Sequence, residues 1–214
     1  MTDWFVGVAA VCAVVLAPTR AAAQAGHHGP AVVPPAAAYI GPPDGELEAP
    51  LPRWWVGADH PRTLWVYFAP APPGRPDFWS ATANAMATWN DVSGIPLLFQ
   101  RTTHRQGADV EFRWRRRFEA RQAGTTDWET DGDGWLRAVT VTLALEHEDG
   151  TPMSDEFRGL VSLHELGHAI GLPHSDEPTD VMHPGNRSFD LSDRDILSAR
   201  QLYMRVGSAK VVIP

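Results

Sequence analysis

The chain has 214 residues and a formal net charge of −8, enough length for one domain with a filled core and little more. An acidic balance repels phosphate backbones, so nucleic acid is excluded as an expected partner. Hydrophobic residues at 43% and charged residues at 21% are ordinary for a soluble globular protein.

Residues 1–25 hold the apolar run Trp4–Ala17. It is shorter than the about 20 residues that a membrane-spanning helix needs, so stable membrane insertion is not expected. Small residues at cleavage spacing follow, in Ala21-Ala22-Ala23 and Ala23-Gln24-Ala25. The stretch therefore reads as a secretory signal peptide, which sends the product to the periplasm or out of the cell. Asp3, and the lack of Lys or Arg before the run, depart from that pattern. Cys12 is the one cysteine and lies in this leader, so the exported chain would have no disulfide and no thiolate ligand.

Residues 26–52 are rich in Pro, Ala and Gly and read as a linker or short pro-segment, with His27 and His28 merely solvated. A folded domain is expected over 53–207, then a tail at 208–214. Thr63–Phe68 is rich in β-formers and stops at Pro70, which predicts a strand. Phe78, Ala81, Ala85, Trp89 and Val92 recur at helical spacing and predict a helix over 76–92, with Gly94 as its C-cap. Leu97–Arg101 is a second strand. Ala108–Phe118 alternates, which predicts a third strand with one wet face; its cluster Arg113, Arg115, Arg116 and Arg117 reads as a solvated basic surface.

Gly124–Leu145 predicts a hairpin about the turn Asp131-Gly-Asp-Gly134. Thr151-Pro152 predicts the start of a helix, with Thr151 as N-cap, that runs to about Gly171. A last helix begins at Leu191-Ser-Asp-Arg-Asp195, where Ser192 can cap and Asp195 suits the helix dipole. The order of strand, helix, strands and two helices makes an α+β domain.

The chemistry concentrates in His164-Glu-Leu-Gly-His168-Ala-Ile-Gly-Leu-Pro-His174. Residues four apart share a helix face, so His164 and His168 can meet one metal ion. Glu165 is rotated by about 100° from His164 and can stand beside the metal instead of binding it. Gly171 can take the left-handed conformation that ends a helix and returns His174 to the ion. Three imidazoles that leave a fourth position open describe a catalytic zinc site. Zn²⁺ is thus the expected cofactor, with Glu165 as general base for peptide-bond hydrolysis.

The pattern resembles that of the metzincins, with Ser175–Pro184 supplying their methionine turn, and within them the matrixins. Gly171–Ser175, Val181-Met-His-Pro184 and Leu191–Ile196 with Leu202-Tyr203 carry the likeness. The resemblance implies a single domain with a five-stranded twisted mixed sheet, a long first helix, an active-site helix and a C-terminal helix. It implies that Met182 lies beneath the zinc, that a protein or peptide substrate pairs with an edge strand over Gly124–Thr130, and that residues 185–190 border the pocket for the residue after the cut. A monomer is expected. The latency cysteine of many matrixins is missing, and His104 and His147 are too isolated to hold a second zinc. Asp127, Glu129, Asp131 and Asp133 could gather oxygen ligands for Ca²⁺, against the simpler reading of an acidic turn. Rival classes are a zinc-containing binding or adhesion module without catalysis, and a hydrolase of non-peptide amides.

Overall fold

The structure, a computed structural model, describes residues 37–41, 51–57, 61–72, 79–119 and 122–204. The expected leader with Cys12, the His27-His28 pair, Phe78 and the 208–214 tail lie outside them. No described helix is long and apolar enough to cross a membrane.

Five strands and three helices follow in the order β1 (Arg62–Phe68), α1 (Trp79–Asn90), β2 (Leu97–Thr102), β3 (Val110–Arg115), β4 (Gly124–Thr130), β5 (Leu136–Ala144), α2 (Asp155–Ala169) and α3 (Asp193–Met204). The strands form one sheet in the order β2-β1-β3-β5-β4. Only β4 runs antiparallel to its neighbour, with Thr126 opposite Val141, and it forms one edge. The fold is α+β with a mixed sheet, as the resemblance implies.

Period-two alternation decides which side chains face the helices. Leu64 and Val66 of β1, Val110 and Phe112 of β3, and Val139, Val141 and Leu143 of β5 are buried together with Ala85 and Trp89 of α1 and Leu163 and Leu166 of α2. Trp65 and Leu98 point the other way and remain exposed. Asn90 ends α1 and staples it to β2: its side chain accepts from the Phe99 N–H at 2.7 Å and donates to the Phe99 carbonyl at 3.0 Å. Gly94 takes φ 86° in the turn that follows.

Two expectations need correction. α2 starts at Ser154, whose hydroxyl accepts from the Phe157 N–H at 3.1 Å, and not at Thr151-Pro152. Asp149 captures both the N–H and the hydroxyl of Thr151 in a local turn, and Pro152 bridges to Glu146. Thr151 is thus held in a turn three residues before the N-cap that starts the helix. Part of the Pro/Ala-rich stretch also packs on the domain. Ile40 is buried, the Tyr39 N–H donates to Ser198 Oγ at 3.0 Å, and Gln201 Nε2 donates to the Gly41 carbonyl at 2.5 Å. Average composition hides Tyr39-Ile40, whose side chains offer apolar area amid small residues.

Two arginines of the basic cluster at β3, Arg113 and Arg116, pair with acids. Arg105 and Arg113 both meet Glu111, and Arg116 meets Glu146 at 2.9 Å. The arginine ends are exposed, which keeps the contribution of each pair small.

Candidate metal centre

The histidines depend on how the last turn of α2 is held. A helix leaves its final carbonyls without internal donors. Here the indole N–H of Trp128 donates to the His168 carbonyl at 2.9 Å, that of Trp54 to Ala169 at 2.8 Å, and the Tyr203 hydroxyl to Ile170 at 2.7 Å. β4, the segment before β1, and α3 are thereby pinned to the helix end. Trp89 of α1 also donates its indole N–H to α2, at the Leu163 carbonyl inside the helix.

His164 and His168 are fully buried on one face of α2, with their Nε2 atoms 3.0 Å apart. Each Nδ1 faces a backbone carbonyl at 2.7 Å, Val181 for His164 and Leu172 for His168. A carbonyl only accepts, so each Nδ1 carries the proton and each Nε2 presents a lone pair. Two lone pairs aimed into one space have no hydrogen bond to share, and a cation between them resolves the contact. Tetrahedral zinc with bonds of about 2.0–2.1 Å sets its ligand nitrogens roughly 3.3 Å apart, close to the spacing found.

Gly171 has φ 101° and returns the chain along α2. A Cβ there would strike the Pro52 carbonyl oxygen, so space as well as conformation demands glycine. The return brings His174 to the other two. Its Nε2 is buried with no hydrogen-bond partner, and the ligand atoms of the three histidines lie within 4.8 Å of one another. Among the described residues they are the one such group of three or more His, Cys, Asp or Glu. Burial lowers all three imidazoles, His164 to about 3 and His168 well below the ordinary value. They are neutral at physiological pH, the state in which nitrogen binds metal.

Met182 is fully buried and packs against Gly167, where any Cβ would run into its sulfur. Its carbonyl accepts from the Ser175 N–H at 2.9 Å, which ties the methionine turn to the residue after His174. The turn is held in place by Asp195, whose carboxylate accepts the N–H groups of Val181 at 2.8 Å, Met182 at 3.3 Å and Ser192 at 3.0 Å. Ser192 Oγ in turn accepts from the Asp195 N–H at 3.0 Å, a reciprocal cap at the start of α3. Asp180, also buried, meets the hydroxyls of Ser175 and Ser192. Sequence reasoning placed Asp195 at the helix dipole and passed over Asp180. Its burial and its contact with Ser192, 12 residues on, exist only in the fold, so no local signal marked Asp180.

Glu165, the residue after His164 on α2, is fully buried. Burial pushes its carboxyl up to about 8, against a smaller lowering by the Thr126 hydroxyl, which donates to Oε2 at 2.6 Å. Oε1 is buried with no partner. A carboxyl left half-satisfied in a dry site is poised to exchange protons near neutral pH.

The hairpin acids are not gathered into a calcium site. Asp131 instead accepts from the N–H groups of Asp133 and Trp135 and pairs with Arg137 at 2.5 Å, while Asp127 and Glu129 are exposed. Among the described residues these four acids do not converge as a ligand group.

The matrixin family profile matches residues 73–204. The chain is 28% identical to metalloendoproteinase 1 of Glycine max, over 72% of this chain and 53% of that protein. It is 31% identical to macrophage metalloelastase of Rattus norvegicus, over 56% of this chain and 27% of that protein. It is 28% identical to matrix metalloproteinase-26 of Homo sapiens, over 56% and 49%. The aligned parts thus span from about a quarter to about half the length of these relatives. The profile covers more than half of the chain, from before α1 through the three histidines to the end of α3, and the chain belongs to the matrixins, a family of zinc-dependent endopeptidases.

Proposed function

We propose that the protein is an exported zinc endopeptidase in which His164, His168 and His174 hold the metal and Glu165 is the general base. The observation that carries this is the convergence of three neutral imidazoles, two of them with Nδ1 committed to carbonyls, next to a buried carboxylate with one free oxygen. Zinc bound there supplies Lewis acidity and lowers the pKa of a water it holds to about 7. Glu165 accepts the proton of the attacking water and passes it to the departing amine. Met182 and the turn at Gly171 keep the histidines in place.

Among the described residues, strand β4 leaves one edge of the sheet unpaired. An extended peptide can add there as a further strand, so affinity would come from backbone pairing and choice of residue from the 185–190 loop. The Trp4–Ala17 run supports export by a signal peptide, and a monomer suffices because all site residues come from one chain.

The test measures zinc per molecule in the purified protein, then cleavage of casein with and without chelator. One zinc, and cleavage that chelator abolishes, supports the reading. Glu165→Gln should retain the metal and lose cleavage. Retained zinc without any cleavage in the parent protein would replace this reading with a non-catalytic zinc module.

A further inference from the structure

We propose that the inner face of β4 is built to position Glu165, with Thr126 as the anchor of one carboxylate oxygen and Gly124 as the space that keeps the other free. This rests on the reading of Glu165 as general base.

Thr126 is fully buried and lies 39 residues from Glu165 in sequence. Its single hydroxyl proton has two acceptors in reach, Glu165 Oε2 at 2.6 Å and the Glu165 backbone carbonyl at 3.3 Å. The shorter bond, to the oxygen that can carry charge, is the stronger. A buried threonine in a strand usually fits β geometry and satisfies its hydroxyl locally. Here it reaches across to α2 and grips Glu165, the residue after His164.

Gly124 stands two residues earlier and so on the same face. Its φ is not in the left-handed region, so the backbone does not require glycine. The space does: a Cβ would lie 2.6 Å from Glu165 Oε1, 3.0 Å from its Cδ and 2.8 Å from Val161 Cγ1. Oε1 rests over this gap, buried and without a hydrogen-bond partner. An orphaned oxygen is costly unless it serves a purpose. With Oε2 held by Thr126, rotation of the carboxylate is stopped and Oε1 is the oxygen left to handle the proton. Because β4 is also the edge proposed to receive substrate, the element that aligns the peptide would align the base.

Four variants of the zinc-loaded enzyme test this, Thr126→Val, Thr126→Ser, Gly124→Ala and Glu165→Gln, each with zinc content, kcat and KM on an internally quenched peptide. Thr126→Val keeps the shape and should lose about 10–100-fold in kcat, with KM and zinc content unchanged. Thr126→Ser returns the hydroxyl and should recover most of that loss. Gly124→Ala reaches the same carboxylate from another position and should also lower kcat at constant zinc, so a folding defect in one variant does not remove the test. Crystals of zinc-free Thr126→Val should show the Glu165 carboxylate turned from its parental position. Parental kcat in Thr126→Val, equal losses in the Val and Ser variants, or an unmoved carboxylate would overturn the proposal. If Glu165→Gln is inactive while Thr126→Val is fully active, only the positioning role falls. If Glu165→Gln is fully active, the general-base reading falls first.

Discussion

Asp195 accepts the Val181 N–H at 2.8 Å, and the carbonyl of that same Val181 accepts Nδ1–H of His164 at 2.7 Å. One peptide unit away from the metal face, a buried carboxylate on α3 thus sets the orientation of an imidazole on α2. Metal-binding imidazoles depend on such partners for ring orientation and basicity. Asp195→Ala strips acceptors from three buried or half-buried N–H groups. It should destabilise the protein by about 3 kcal/mol and weaken zinc retention about 10-fold or more. Urea unfolding and metal content after dialysis against a chelator check both.

Gly171→Ala should be worse than an ordinary glycine change. It adds a Cβ against the Pro52 carbonyl at a residue with φ 101°. Strain and collision together should cost more than about 2 kcal/mol and displace His174. Loss of zinc binding while α-helical circular dichroism persists is the expected result. A variant with parental metal affinity would show that the return of the chain tolerates a side chain.

The metal-free protein should be most stable near neutral pH. Burial lowers the three imidazoles, so below about 6.5 the unfolded chain takes up protons that the folded chain refuses, and stability falls as pH drops. Glu165 acts in the opposite sense. Its folded value of about 8 lies above the ordinary 4.5, so its contribution fades as pH rises through that interval. Each net proton is worth about 1.4 kcal/mol per pH unit. Thermal unfolding of chelator-treated protein from pH 5 to pH 9 should show both limbs. Glu165→Gln should flatten the alkaline limb and keep the acid one.

Tyr39→Phe tests the docking of residues 37–41. The Tyr39 hydroxyl donates to Asp195 Oδ1 at 3.3 Å, and its ring lies under Arg194. Removal of the hydroxyl should cost about 1 kcal/mol. Protease cleavage near residue 41 should quicken more than cleavage elsewhere, as limited proteolysis with mass readout would reveal.

Much of the site is legible because its rules are local. Helical spacing of four puts His164 and His168 on one face, and Gly171 followed by Pro173 predicts the reversal that returns His174. The strand periods over 63–68 and 124–145 likewise mark β1 and the hairpin, since alternation depends only on neighbours. The start of α2 is not legible for an equally local reason: Thr151 has a second partner in Asp149, and residue type alone does not decide between a turn and a cap.

Chain order and local chemistry therefore determined the kind of fold, and they pointed to the three clustered histidines and to Glu165 beside them in sequence. Only the folded path of the chain could decide that Trp54 caps a carbonyl 115 residues away, that Asp195 holds the methionine turn, and that Thr126 faces Glu165 while Asp127 faces water. Those partnerships join groups far apart in sequence. Side-chain chemistry says what such a group can bind, but burial and strand order say which partner is within 3 Å.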